Sequence, residues 1–345
     1  AALNPLDRLD PDSLDLAEDA GTLADALVFD EPGMAGEVHW NEEAKALIAG
    51  LMLMIVATAP PDERHLGTLR RYLSADPHRF TDLLKDMQQM PEANGLIARA
   101  ANRHLGKADR EAAGVLSAAQ RHTHFLDSPR MVEVLKRSDF RFADLKHERA
   151  TVFLVLPPDR LSTYSRWLRL LITQSLTDMA RNPTTPPKPV LYLLDEFAAL
   201  GHLAPVEQAM GLMAGYGVQL WPILQDMHQL RATYGQRAGT FLSNASVLQV
   251  FGVNDIETAS LIARTIGRMD ERHVTQSWSS PNMPWKPPSI TSSEHVVARD
   301  LMTPDEIMRL PDQAMILLAQ GQRPALARKL RYYTDPEFST LFDLS

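Results

Sequence analysis

From Thr151 onward, short apolar runs alternate with stretches whose apolar residues recur every three or four positions, the pattern of an α/β fold built on a parallel sheet. The strand candidates are TVFLVLPP (151–158), VLYLLDE (190–196), VQLWPILQD (218–226), VLQVFGV (247–253) and MILLAQG (315–321). VLYLLDE is apolar without interruption up to its two terminal acids, as in strands covered on both faces. Leu161–Arg181, Val206–Ala214 and Ile256–Ile266 read as helices, the last with Asp255 at its N-cap and Gly267 at its end.

Residues 41–148 carry the helical period and almost no strand signal. Asn41–Val56, Arg64–Leu73, Phe80–Gln89, Ala93–Leu105 and Arg110–Phe125 are the helix candidates, separated by proline-bearing or polar breaks. This reads as an all-helical insertion in an α/β domain, dividing the chain into 1–38, 39–148 and 149–345. The longest apolar stretch, Ala46–Ala59, is shorter than the roughly 20 residues a membrane span needs and reads as a buried helix. Residues 280–292, rich in proline and serine, read as a mobile surface loop. The start, AALNPLDRLD, has neither the basic nor the apolar region of a signal peptide.

Composition narrows the chemistry. Cysteine is absent, which excludes disulfides and thiolate metal sites and suits a reducing compartment. The net charge of -8 is uneven: residues 1–60 hold 2 basic and 12 acidic side chains, 61–150 hold 16 and 13, and 151–345 hold 17 and 18. No segment has the strong basic field of an autonomous DNA-binding module, so contact with nucleic acid would need a focused patch or a ring of subunits.

The strand 190–196 delivers two adjacent carboxylates, Asp195 and Glu196, at its C-terminal end. A Walker B element uses that arrangement: the first acid holds the hydration shell of Mg²⁺ and the second orients or deprotonates the attacking water. The plainer alternative is a strand that ends in two solvated acids. Gln225 closes the next strand candidate, and an amide there can donate to a phosphate oxygen and accept from water; as a polar residue at a strand exit it is equally ordinary. Asn254 and Asp255 read as turn and cap.

LLDEFAALG (193–201), MAGYGVQLW (213–221), the segment 224–235, VLQVFGVNDIETA (247–259) and RPALARKLRYYTDPEF (323–338) together resemble the TraG-like type IV secretion coupling proteins of conjugation. LNPLDRLDPDSLDLAEDA (3–20) and WNEEAKALIAGL (40–51) extend the resemblance over nearly the whole chain. It implies a RecA-like P-loop NTPase-type sheet with an inserted all-α domain. It also implies ATP and Mg²⁺ as cofactors, Asp195 and Glu196 as the Walker B pair, and Gln225 as a third nucleotide-site residue. Further implications are a homo-hexamer at the cytoplasmic face of the inner membrane, relaxase–DNA or effector proteins as substrates, and other type IV secretion components as partners. The helical insertion becomes the recruiting surface, with the membrane anchor outside these residues.

The chain departs from the family's pattern twice. GxxxxGK[ST] is absent, and the single Gly-Lys pair, Gly106-Lys107, precedes Ala108 in a helical segment. A phosphate loop supplies backbone N–H groups and a lysine that other residues replace poorly, so this chain by itself is expected to bind ATP weakly or not at all, with truncation as the explanation. The second departure is that no arginine is singled out for the transition-state role; Arg231, Arg237, Arg264 and Arg268 are the candidates. In isolation the piece is expected to be monomeric or weakly associated.

Two readings follow. One is a nucleotide-driven translocase; the other is a non-catalytic recruitment platform. A metal site is disfavoured because His122 and His124, two apart on a helix, diverge around its axis. In the insertion, Arg64, Arg70, Arg71, Arg99, Arg103, Lys107 and Arg110 are interspersed with Asp62, Glu63, Asp109 and Glu111, which favours a mixed-charge protein surface over a phosphate-binding one.

Overall fold

The computed structural model describes residues 1–29, 38–279 and 289–341, which form two compact units. The first comprises Ala1–Leu224 with Ala232–Thr240, and the second comprises Gln225–Arg231 with Phe241–Ser345.

In the first unit, α1 (Leu16–Leu27) leads to α2 (Val38–Thr58), followed by α3 (Leu66–Leu73), α4 (Pro77–Gln88), α5 (Leu96–Leu105), α6 (Asp109–His122) and α7 (Pro129–Val134). Helix α2 is the central rod. It is apolar nearly all round, as a helix surrounded by others must be, and Leu47, Ile48, Leu51, Met52 and Ile55 are buried against α1, α3, α5 and α6. None of the described helices is long and apolar enough to cross a membrane. The Asp76 side chain, accepting the His78 N–H at 2.9 Å, and Pro77 at the first turn start α4. One core runs without a break from Leu6 through α1 and the helices after it to Leu170, so residues on both sides of position 38 share it.

The unit continues with α8 (Leu161–Arg181), β1 (Val190–Leu194), α9 (Ala204–Leu212) and β2 (Val218–Pro222). β1 and β2 are parallel, from Val190 opposite Val218 to Leu194 opposite Pro222. The chain passes between the units within α10 (Met227–Tyr234) and α11 (Ala238–Asn244). The second unit has β3 (Val247–Val250), α12 (Ile256–Ile266), β4 (Arg268–Ser279), β5 (Ser289–Asp300), α13 (Pro304–Met308), β6 (Ala314–Ala319) and β7 (Ala325–Arg328). Its core joins Val250, Val253, Ile262, Ile266, Ile307 and Ile316.

Several expectations need correction. Parallel pairing holds for β1 with β2, but β3–β6–β7 and β4–β5 are antiparallel. Apolar runs mark strands without giving direction, and the short turn between β6 and β7 permits only antiparallel pairing. Residues 151–157 form no ladder with any described strand. They keep a strand's alternation: Val152 and Leu154 pack inward with Leu3, Phe142 and Leu171, while Phe153 and Val155 stand exposed. β1 is not covered on both faces, since Leu191 and Leu193 are exposed. Of the loop expected at 280–292, residues 280–288 lie outside the described residues and 289–292 belong to β5. The periods of 3.6 and 2 also passed over α1 and the β4–β5 hairpin, whose polar residues on both faces blur the alternation.

Candidate nucleotide-hydrolysis site

Asp195 and Glu196 follow β1 directly, and both are exposed. Asp195 Oδ1 accepts the Glu196 N–H at 3.1 Å, which folds the pair back on itself. Glu196 is left-handed, with φ 49° and ψ 42°, a conformation that costs an L-residue of this kind roughly 1 kcal/mol. The surrounding hydrogen bonds enforce it. Ile223 donates to the Leu194 carbonyl at 3.0 Å and Phe197 donates back to Ile223 at 3.2 Å, while Ala199 N–H reaches the Glu196 carbonyl at 2.9 Å. The carboxylates are thus held at the end of the parallel pair by main-chain bonds on both sides.

The next residues anchor the turn. Phe197 is fully buried and stacked on Tyr234 with centroids 5.8 Å apart, and the Tyr234 hydroxyl accepts the Leu203 N–H at 3.2 Å. Burial pushes Tyr234 up to about 12. Arg169 of α8 donates from Nη1 to the carbonyls of Leu200 and His202, each at 2.7 Å. Sequence reasoning passed over Arg169; its signal was an arginine inside the apolar helical run Trp167–Ile172.

Gln225 belongs to the second unit. It is exposed at the entrance to α10, and its Oε1 accepts from Gln229 Nε2 at 3.3 Å. The segment is fixed to α12: Met227 N–H donates to Thr258 Oγ1 at 3.2 Å, and Arg231 pairs with Glu257. Asp255 caps α12 by accepting the Thr258 N–H at 2.7 Å, the cap role expected for it. Asp195 and Glu196 are therefore brought together on one turn, and Gln225 is described by its own unit alone.

The other arginine candidates have local partners: Glu207 for Arg237 at 3.5 Å, the Ser260 carbonyl for Arg264 at 3.2 Å, and Asp300 for Arg268 at 2.9 Å. Gly106 caps α5, and Lys107 pairs with Glu43 at 2.8 Å and Glu111 at 2.9 Å, so the Gly-Lys pair serves the helical fold. His122 is buried and bonded to Asn41, whereas His124 is exposed and paired with Asp127 at 2.9 Å.

The exposed Asp195 carboxylate fits a hydrated Mg²⁺, a hard cation that keeps several waters and takes oxygen ligands. The phosphate-loop motif GxxxxGK[ST] does not occur in the 345 residues.

The fold is that of solved TrwB, a bacterial conjugative coupling protein, with a TM-score of 0.69 at 17% identity over 90% of this chain and 68% of that one. That likeness shows the fold alone, a mixed helix-and-sheet architecture shared with the coupling protein. The chain belongs to the family of type IV secretory system conjugative DNA transfer proteins, whose model matches residues 1–342. It is similar to the conjugal transfer protein TraG of Escherichia coli, 29% identical over 371 residues covering 97% of this chain and 57% of TraG. It is also similar to VirD4 of Rhizobium rhizogenes, 33% identical over 220 residues covering 62% of this chain and 32% of VirD4. The chain thus spans about a third to somewhat over half the length of these curated relatives. TrwB has also been solved with ADP and Mg²⁺.

Proposed function

We propose that these residues are the cytoplasmic motor portion of a coupling protein that recruits relaxase–DNA or effector substrates and drives their transfer through a type IV secretion system by ATP hydrolysis. The observation that carries the reading is the Asp195–Glu196 pair, held in a strained turn at the C-terminal end of a parallel strand. Strain of this kind persists where the surroundings over-determine it, commonly at functional sites. Asp195 would hold Mg²⁺ through water, and the ion would neutralise charge on the phosphates. Glu196 orients the attacking water and receives its proton, and the Gln225 amide senses the terminal phosphate. The phosphate cradle comes from residues beyond these 345, and the exposed apolar positions Phe153, Val155, Leu191 and Leu193 are consistent with further chain covering them.

For the helical region we favour protein partners over DNA. Its cations are largely taken up by internal pairs: Arg70 with Asp127, Arg71 with Glu63, and Arg103 and Lys107 with Glu43. A phosphate-binding face would leave them pointing at the ligand. Assembly as a hexamer at the inner-membrane face is part of the same proposal.

The test is ATP hydrolysis by the protein expressed from the start of its reading frame, beside Glu196→Gln and beside residues 1–345 alone. Turnover in the longer protein, its loss in Glu196→Gln with nucleotide binding intact, and an inert shorter piece are expected. A longer protein that binds no nucleotide overturns the reading and leaves the recruitment platform.

A further inference from the structure

Arg169 lies on the buried face of α8 and is 4% exposed. Its Nη1 is used by the carbonyls of Leu200 and His202, but Nε is buried without a partner, and among the described residues Nη2 makes no hydrogen bond. No carboxylate among the described residues pairs with it; its companion is the Phe29 ring, whose centroid lies 3.7 Å from Cζ. Burial first, and the like charge of Arg166 after it, lower the guanidinium to about 10. One helical turn further on, Thr173 is 3% exposed and its hydroxyl also lacks a hydrogen-bond partner.

Both side chains line a cavity of about 700 Å³ in the first unit, with Leu176, Leu203 and Met213 among its apolar walls. A buried cation whose hydrogen-bonding edge is only partly used is costly, and the cost falls when an anion enters. Nε and Nη2 form one edge of the guanidinium fork, the arrangement that takes a carboxylate or phosphate with two parallel bonds once the side chain turns to meet it, since Nε and the Thr173 hydroxyl have no accessible surface in the empty cavity. Such cavities, mostly apolar with a few fixed polar groups, are where small ligands bind.

We propose that this cavity binds a small organic anion, its carboxylate or phosphate on Arg169 and Thr173 and its apolar body against Leu176, Leu203 and Met213. Asp195 and Glu196 do not line it, so the site stands whatever those acids do. Because Arg169 also holds the turn at Leu200–His202, the ligand sits next to the segment that follows the acid pair.

The experiment is calorimetric titration of the purified chain with 1-naphthoate, 1-naphthyl phosphate and the neutral 1-naphthamide. The anions are expected to bind at least tenfold more tightly than the amide, and whichever of the two binds better identifies the head group. Arg169→Gln, which keeps an N–H donor near the two carbonyls, should erase that preference. Should Arg169→Gln fail to fold, Ala180→Trp, at an exposed lining position, should weaken both anions at least tenfold by occupying the cavity. Equal binding of acid and amide, no binding of either anion, or anion binding unchanged by these substitutions would overturn the proposal.

Discussion

His122 makes the first unit sensitive to mild acid. The ring is 1% exposed; Nδ1 accepts from Arg166 at 3.2 Å, and Nε2 therefore carries the proton and donates to Asn41 Oδ1 at 2.8 Å. A second proton would have to replace the Arg166 bond and face the charges of Arg166, Arg121 and Lys45. Burial first, and those cations next, lower the imidazole from 6.5 to about 3. The folded ring thus stays neutral where the unfolded one is protonated. Its contribution is fully present above pH 6.5 and is lost as the pH falls below that value, levelling off near pH 3. Linkage puts the loss between pH 8 and pH 5 at about 2 kcal/mol. With a urea slope of about 3 kcal/mol per molar, the midpoint should fall by roughly 0.7 M. His104 and His65 are lowered by burial too and add to the trend, so the comparison is with His122→Gln, whose amide can accept from Arg166 and donate to Asn41. Urea unfolding followed by far-UV circular dichroism, at both pH values, should show the extra fall in the wild type alone. Parallel falls in both proteins, or a His122 resonance titrating above pH 5, would refute the argument.

The remaining predictions concern packing, charge and backbone strain. Gly50→Ala in α2 puts a methyl 2.2 Å from Ala100 Cβ and should destabilise by about 1–3 kcal/mol, whereas Gly21→Ala in α1 meets nothing within 4 Å and should stabilise by up to about 1 kcal/mol; thermal melts of the two would then move in opposite directions. Glu43, held down to about 2 chiefly by its hydrogen bond to Arg103 and then by Lys107, contributes above pH 4.5 and loses its contribution as the pH falls through about 2; the melting difference between wild type and Glu43→Gln should close over that range. Glu196→Gly relieves the left-handed strain and should melt at least as high as Glu196→Gln, although both lose hydrolysis in the longer protein.

What the sequence showed and what it hid have physical causes. Helix α8 was legible to the residue because one apolar stripe runs its whole length, and α12 because Asp255 and Gly267 punctuate it. Strand positions were legible at β1, β2, β3 and β6, but strand direction was not, since the same apolar run serves either. Arg169 escaped because it resembles any helix arginine until the structure removes water from its surroundings. The acid pair was readable as two letters after an apolar run, which a solvated strand end would match equally well. The features that set it apart, Glu196 in the left-handed region and the bonds through Ile223 that keep it there, arise from tertiary pairing between β1 and the residues after β2. An exposed carboxylate kept in that strained turn while its neighbours Phe197 and Leu200 are buried is what favours the proposed hydrolytic site over a strand that simply ends.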